Sequence, residues 1–287
     1  MSTDTPPLAG RKEWLGQAVL ALPTLLLALD MSVLYLALPY LSADLGADST
    51  QQLWIIDIYG FLIAGFLIAM GNLGDRIGRR RLLMIGGTAF AIISIIAAYA
   101  PSAELLIASR AALGVAGATL MPSTLALISN MFRNAKQRGT AIGIWVSCFL
   151  VGASVGPLIG GLLLEHFWWG SVFLLGVPVM VLLLATAPVL LPEFRNADAG
   201  RLDLSSVGLS LGAILPVIYG IKELAKHGLE PTPIATIALG ALLGAAFLRR
   251  QRRLADPLLD VSLFGNRAFG ASLASMLLAL MAFSAVT

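Results

Sequence analysis

Long apolar runs dominate this sequence and limit what it can fold into. Nine of them approach or exceed the ~20 residues that an α-helix needs to cross a bilayer, and short polar loops separate them. The strands of a membrane barrel would instead alternate polar and apolar residues over about ten positions. The chain is therefore predicted to be an all-α polytopic membrane protein. The predicted spans are Leu15–Leu38, Leu53–Met70, Leu82–Tyr99, Leu105–Met131, Ala141–Leu164, Ser171–Leu191, Val207–Ile221, Pro233–Leu248 and Ala268–Thr287.

The overall composition agrees with a lipid environment. Hydrophobic residues make up 58% of the chain and charged residues only 12%, with a mean hydropathy of +0.87, whereas soluble domains have about 25% charged residues. The single cysteine, Cys148, excludes an intrachain disulfide. No Cys/His spacing suggests a metal or cofactor site, and neither H-E-x-x-H nor a Ser/His pairing suggests an enzyme.

The basic residues are distributed very unevenly between alternate loops. Sixteen of the 19 Lys and Arg fall on one side, Lys222 and Lys226 fall on the other, and Arg110 lies inside the fourth span. The positive-inside rule then predicts a multi-pass protein of the cytoplasmic membrane with a cytoplasmic N-terminus. This pattern also explains the net charge of +3 without a nucleic-acid partner, because the positive residues act as topology signals.

The order of the spans suggests four segments. Residues 1–192 are expected to form a six-span bundle, and residues 193–206 form an acidic cytoplasmic linker. Two further spans occupy 207–248. Residues 249–287 hold a basic loop and one more span, and the apolar ending at Thr287 favours a truncated second half.

The loop after the second span carries a dense motif, Gly71 to Arg81. Its glycines permit tight turns and close helix approach. Its carboxylate among several guanidinium groups favours a charge-assisted network at the membrane surface. A basic topology loop would need neither the glycine nor the aspartate spacing. The residues concerned are Gly71, Gly74, Asp75, Arg76, Gly78, Arg79 and Arg80.

A second motif lies late in the fifth span. Gly152, Gly156 and Gly160 share one helix face, Gly161 follows them, and Pro157 removes a backbone hydrogen bond. Small residues at this spacing are common at contacts between membrane helices, so the glycines alone indicate only a packing face.

Three ionisable residues lie inside spans: Asp30, Asp57 and Arg110. A charge at membrane depth costs several kcal/mol unless it is paired or hydrated, which makes each residue a functional candidate. Counted from the outer span ends, Asp57 lies about 5 Å deep, Arg110 about 9 Å and Asp30 about 13 Å. All three fall in the outer half of the bilayer and are expected to line one cavity.

These segments together resemble the major facilitator superfamily. Gly71–Arg81 is similar to its loop signature, with Gly74 in place of Ala, and Gly152–Gly161 matches the signature of its antiporters. Leu29–Pro39 and Leu106–Gly114 are similar to two further motifs of its fourteen-span drug:proton antiporters. In the last of these, Leu113 stands where the family has Gln, which puts a polar partner of Arg110 in doubt.

Two further segments, Trp54–Tyr59 and Leu164–Phe173, narrow the resemblance to the exporters of quaternary ammonium compounds and methyl viologen, of the QacA and SmvA type. It implies a monomeric exporter that exchanges protons for lipophilic cations such as biocides and dyes, with Asp75 and its arginines as a cytoplasmic latch. We hypothesise that Asp30 binds a proton and a cationic drug in turn, because burial and a nearby cation shift a carboxyl pKa in opposite directions. Arg110 would modulate Asp30 or relay the proton.

Several alternatives remain open at this point. Asp30 or Asp57 could form a static ion pair with Arg110 that only ties helices together. The chain could be a truncated, transport-inactive fragment of an exporter. An importer of the same superfamily is disfavoured by the Gly152–Gly161 segment.

Overall fold

The computed structural model describes residues 8–196, 203–254, 257–259, 270–272, 274, 275 and 278. Within these residues the structure is helical and contains no strand. The helices are α1 (Arg11–Leu45), α2 (Ser49–Ile77), α3 (Arg79–Ala98), α4 (Ala103–Met131), α5 (Ala135–His166), α6 (Ser171–Leu174), α7 (Gly176–Leu190), α8 (Leu204–His227) and α9 (Pro231–Gln251).

Eight membrane spans can be recognised by length and hydropathy in the described part of the chain. Six of them lie on α1 to α5 and on α6 with α7, and two lie on α8 and α9. The predicted all-α class and the first eight predicted spans are confirmed. The ninth, Ala268–Thr287, lies mostly outside the described residues.

The helices extend well past the apolar runs that predicted them. The second span was expected to end at Met70, but α2 continues to Ile77. The Gly71–Arg81 motif, which was predicted to lie in a loop, is therefore almost wholly helical. Gly78 is the only residue between α2 and α3. Hydropathy locates the lipid-embedded part of a helix, whereas the backbone hydrogen bonds continue into the polar region beyond it.

The sixth span is divided into two helices. α6 ends at Leu174 and α7 begins at Gly176. Pro178 has no N–H to donate to the carbonyl of Leu174, so one hydrogen bond is missing at this point. Leu175 nevertheless keeps right-handed helical angles, and the two pieces form one span.

Residues 1–200 form one compact unit around α1. α1 packs against α5, α7 and α4, while α2 and α3 both pack against α4. Four leucines, spaced by seven residues, lie along the buried face of α1. Each is at most 1% exposed: Leu20, Leu27, Leu34 and Leu41. Large apolar side chains such as Ile85, Ile92 and Ile96 on α3 face outward, as expected when lipid is the solvent.

Residues 201–287 form a second compact unit, which contains the α8–α9 hairpin. Glycines hold the two helices close, since a Cβ on Gly240 would come within 2.8 Å of the carbonyl oxygen of Ala213. At the open end of the hairpin, Arg250 donates two hydrogen bonds to Asp203, from Nε at 2.6 Å and from Nη2 at 3.1 Å.

Candidate functional site

A deeply buried ion pair joins α1 to α4 in the first unit. Arg110 Nη1 lies 2.6 Å from Asp30 Oδ2, and the two side chains are 1% and 9% exposed. The sequence placed both residues in the outer half of the bilayer, and the structure brings them into direct contact.

Close packing between α2 and α4 sets the position of Arg110. Gly114 lies one turn beyond Arg110, and a Cβ there would come within 2.6 Å of the carbonyl oxygen of Tyr59. This close approach lets Arg110 Nε donate to the backbone carbonyl of Ile55 at 3.2 Å. The position of the expected glutamine is occupied by the buried Leu113, so a backbone oxygen and a carboxylate serve as the polar partners of Arg110.

Two aromatic rings complete the surroundings of the guanidinium group. Arg110 Cζ lies 4.2 Å from the ring centre of Tyr59 and 5.9 Å from that of Phe173. Tyr59 is fully buried, and its hydroxyl has no hydrogen-bond partner within the described ranges. Cation–π attraction in a dry site is worth about 2 kcal/mol. Periodicity alone does not predict this contact, because Phe173 comes from another span.

Asp57, the third ionisable candidate, lies on α2 two residues before Tyr59. It is half-buried, in contrast to Asp30 and Arg110. The expectation that Asp30, Asp57 and Arg110 line one cavity remains a prediction.

The motif residues around Gly78 form a compact polar cluster where α2 meets α3. Asp75 Oδ1 accepts hydrogen bonds from Arg79, with Nη2 at 2.6 Å and Nε at 2.8 Å. Arg76 Nε donates to Asn72 Oδ1 at 2.6 Å. Gly78 has φ +111°, a conformation that suits glycine. Gly74 allows Arg79 and Leu82 to pack closely, whereas Gly71 makes only an ordinary contact with Pro122.

The segment that follows α7 is bound to this cluster, a contact that the sequence does not predict. Arg79 N donates to the carbonyl of Phe194, and Asn196 N donates to the carbonyl of Asp75, both at 2.8 Å. Glu193 Oε1 accepts from Arg80 N at 3.1 Å, and Arg80 Nη1 donates to the carbonyl of Leu191 at 2.9 Å. One sequence feature nevertheless points toward this contact. Glu193 is an acidic residue that directly follows the sixth span, on the same side of the membrane as the arginine cluster.

The glycines of the second motif face α1. A Cβ on Gly152 would clash with the backbone carbonyl of Leu25, and one on Gly156 would clash with the Ser32 hydroxyl. Gly160 and Gly161 are less constrained, since the nearest atoms to an added Cβ would lie at 3.4 Å and 3.7 Å. α5 passes through Pro157 without interruption.

Comparison with known proteins places these features in a family context. The family model described as "Major Facilitator Superfamily" matches residues 20–287. "Multidrug efflux pump LfrA" of Mycolicibacterium smegmatis is 49% identical over 280 residues, which cover 98% of this chain and 55% of that protein. "Methyl viologen resistance protein SmvA" of Salmonella typhimurium is 41% identical over 257 residues, which cover 89% of this chain and 52% of that protein.

Solved structures show the same fold at lower identity. The crystal structure of the peptide transporter POT in complex with sulfate superposes with a TM-score of 0.61 at 19% identity, covering 84% of this chain and 53% of that one. A bacterial homologue of the lysosomal transporter Spinster gives a TM-score of 0.52 at 19% identity, covering 84% of this chain and 61% of that one. The chain thus spans about half the length of the curated relatives that it matches.

Proposed function

Because the chain belongs to the major facilitator superfamily, a family of membrane transporters, we propose that it is the N-terminal part of a proton-coupled multidrug exporter of the fourteen-span branch. The substrates are lipophilic and quaternary ammonium cations. The names of the relatives, a multidrug efflux pump and a methyl viologen resistance protein, support this substrate class. The N-terminus is cytoplasmic, and the complete transporter works as a monomer.

The observation that carries the proposal is the buried Asp30 carboxylate, which is held by one cation inside the helical bundle. An ionised carboxylate in an apolar site attracts a cation strongly, and a protonated one does not. A proton and a cationic drug therefore compete for Asp30. That competition is sufficient to exchange one for the other when the site faces the two sides of the membrane in turn.

Arg110 is the resident cation in this mechanism. It neutralises Asp30 when neither proton nor drug is bound. When Asp30 is occupied, the Ile55 carbonyl and the Tyr59 ring still stabilise the guanidinium group, so that Arg110 can remain charged inside the bundle. Asp57 lies nearer the outer end of α2, and its carboxylate attracts the cation as it approaches Asp30.

The polar cluster around Gly78 acts as a latch. Its opening and closing expose the Asp30 site to one side of the membrane and then to the other. Asp75 and Arg79 form its ion pair, and Glu193 fastens the segment after α7 to the same cluster through Arg80. Movement of the latch is thereby transmitted to the segment that leads out of the bundle. The glycines at 152 and 156 keep α5 on α1, which holds Asp30.

The test is uptake of ethidium into proteoliposomes, with and without an imposed pH gradient. Two proteins are compared: this chain, and this chain continued by the part of LfrA that its alignment does not cover. Each is also prepared as Asp30→Asn, and as Glu165→Gln, which removes an exposed carboxylate at the end of α5.

We expect gradient-driven ethidium movement by the extended protein, loss of that movement in Asp30→Asn, and no change in Glu165→Gln. Transport by the extended protein alone, and not by the shorter chain, would show that the exporter needs residues beyond the 287. Undiminished coupling in Asp30→Asn would disprove the role of Asp30. Absence of gradient-driven movement in every form would disprove the exporter assignment.

A further inference from the structure

A large cavity lies at the end of the bundle that carries the N-terminus, well away from Asp30. Its volume is about 1000 Å³. It is bounded by the beginnings of α1 and α5, the ends of α4 and α7, and the segment after α7. Arg80, at the beginning of α3, also lines it, so five span ends meet here, where the chain passes from apolar spans to polar loops.

The described walls of this cavity carry four basic side chains and two carboxylates, which is an excess of positive charge. Lys12, Arg133 and Arg138 are exposed, and their side chains have no hydrogen-bond or ion-pair partner in the described part of the chain. Arg80 also lines the cavity, but it is paired with Glu193. Glu13 is the remaining acidic residue of the wall, and its carboxylate already accepts a hydrogen bond from Gly10 N at 2.7 Å. Among the described residues, the basic side chains of the wall therefore outnumber its carboxylates, and Lys12, Arg133 and Arg138 are the ones without a partner there.

Apolar side chains border the same opening. Val189 on α7 and Leu8 before α1 line the cavity and are 69% and 73% exposed. The outward face of α7 continues from Val189 to Leu182, one heptad away, which is 47% exposed. A ligand with an anionic head and a hydrocarbon tail would satisfy both parts of this surface.

We propose that this cavity binds an anionic phospholipid. Its phosphate is held by Lys12, Arg133 and Arg138, and an acyl chain lies along Val189 and Leu182 on α7. Basic pockets at membrane helix ends suit lipid phosphates, and each Lys or Arg near the surface contributes about 1 kcal/mol to such binding. A free anion would use the three cations but would leave the apolar border without a ligand.

Native mass spectrometry of the detergent-solubilised 287-residue chain can count bound lipids during titration with cardiolipin, phosphatidylglycerol or phosphatidylcholine. We expect one saturable site for the anionic lipids and none for phosphatidylcholine. Inorganic phosphate at equal concentration should compete weakly. Equal competition by phosphate would overturn the proposal in favour of a free-anion site.

Two double variants separate this site from general attraction to basic loops. Arg133→Gln with Arg138→Gln removes two cavity charges, and Arg11→Gln with Lys136→Gln removes two exposed charges nearby that do not line the cavity. We expect the first pair to weaken anionic lipid binding about 5-fold for each charge removed and the second to leave it unchanged. Equal weakening by both pairs, or no saturable site at all, would overturn the proposal. Thermal unfolding without added lipid checks that both variants fold.

Discussion

Arg110 combines three kinds of contact on a single buried side chain: an ion pair with Asp30, a hydrogen bond to the Ile55 carbonyl and a position over the Tyr59 ring. An arginine cannot lose its charge inside a protein, whereas a carboxyl group can take up a proton. Removal of Asp30 therefore has a different effect on Arg110 from the effect that removal of Arg110 has on Asp30.

This asymmetry predicts the outcome of a double-mutant cycle. Asp30→Leu leaves a buried guanidinium group without its counter-ion and should destabilise the bundle by about 3–5 kcal/mol. Arg110→Met should cost less, because a carboxyl group, unlike a guanidinium group, can lose its charge by taking up a proton. The double variant should be more stable than Asp30→Leu alone. Thermal unfolding can be followed by a thiol-reactive dye at Cys148, the half-buried single cysteine. Strictly additive losses would show that the pair is not energetically coupled.

Gly78 is the residue at which local conformation constrains the latch most. Its φ of +111° disfavours any side chain, and an added Cβ would come within 2.6 Å of Glu193 Oε1. We expect Gly78→Ala to destabilise the bundle by about 1–3 kcal/mol. Gly143→Ala is the control, because Gly143 lies within helical α5 with open space around its Cα. That change should be neutral or stabilising in the same unfolding assay. A similar loss of stability in Gly78→Ala and Gly143→Ala would mean that the conformation of Gly78 imposes no special constraint.

At the scale of the helices, the contact between α1 and α5 differs along its length. Gly152 faces backbone atoms of α1, which cannot move aside, whereas Gly161 meets only the flexible end of Leu36 at 3.7 Å. Gly152→Ala should therefore push the helices apart and lower the Tm by several degrees, because overpacking typically costs about 1–3 kcal/mol. Gly161→Ala should be tolerated. An equal fall in Tm for Gly152→Ala and Gly161→Ala would indicate that the glycine motif does not act through the contact between α1 and α5.

At the open end of the α8–α9 hairpin, the Asp203 carboxylate is bound by Arg250 of α9. Hydrogen bonds from Arg250 and Ser206, together with the charge of Arg250, hold the pKa of Asp203 well below its usual value. A lowered folded-state pKa stabilises the hairpin above the unfolded-state pKa, and this contribution is lost as the pH falls through the folded-state value. Asp203→Asn should thus lower the Tm between pH 7 and pH 5, and the difference from the parent should shrink at more acidic pH. Glu230→Gln, at the other end of the hairpin, should show no such effect.

For the whole molecule, the alternation of apolar runs and basic loops predicted nine spans, of which the first eight are confirmed in the described part of the chain. The ion pair was predicted only as a possibility, because the depths of Asp30 and Arg110 follow from position along each helix, but their mutual distance depends on how α1 and α4 pack. The contacts of Tyr59, Phe173 and Glu193 could not be predicted, since each joins spans that are distant in sequence. The extension of α2 through Gly71–Ile77 was missed because hydropathy does not register helical hydrogen bonds outside lipid.

The proposed orientation can be tested with two cysteines on one helix. In a Cys148→Ser background, Lys136→Cys and Glu165→Cys place thiols at opposite ends of α5. We expect an impermeant maleimide to label Glu165→Cys in intact cells and Lys136→Cys only after permeabilisation. The reverse pattern would place the N-terminus outside.

The pairing of Asp30 with Arg110 across 80 residues of sequence also has a consequence for biosynthesis. At about 5–20 residues per second, the ribosome needs about 4–16 s to make Arg110 after Asp30. During that interval the first span has an acidic group and no counter-ion, and an ionised aspartate in lipid costs about 2.5–3.5 kcal/mol at the centre of a helix. Retention of nascent α1 beside the translocon until α4 emerges would avoid this cost, so the residue proposed to couple transport also favours late release of the first span into lipid.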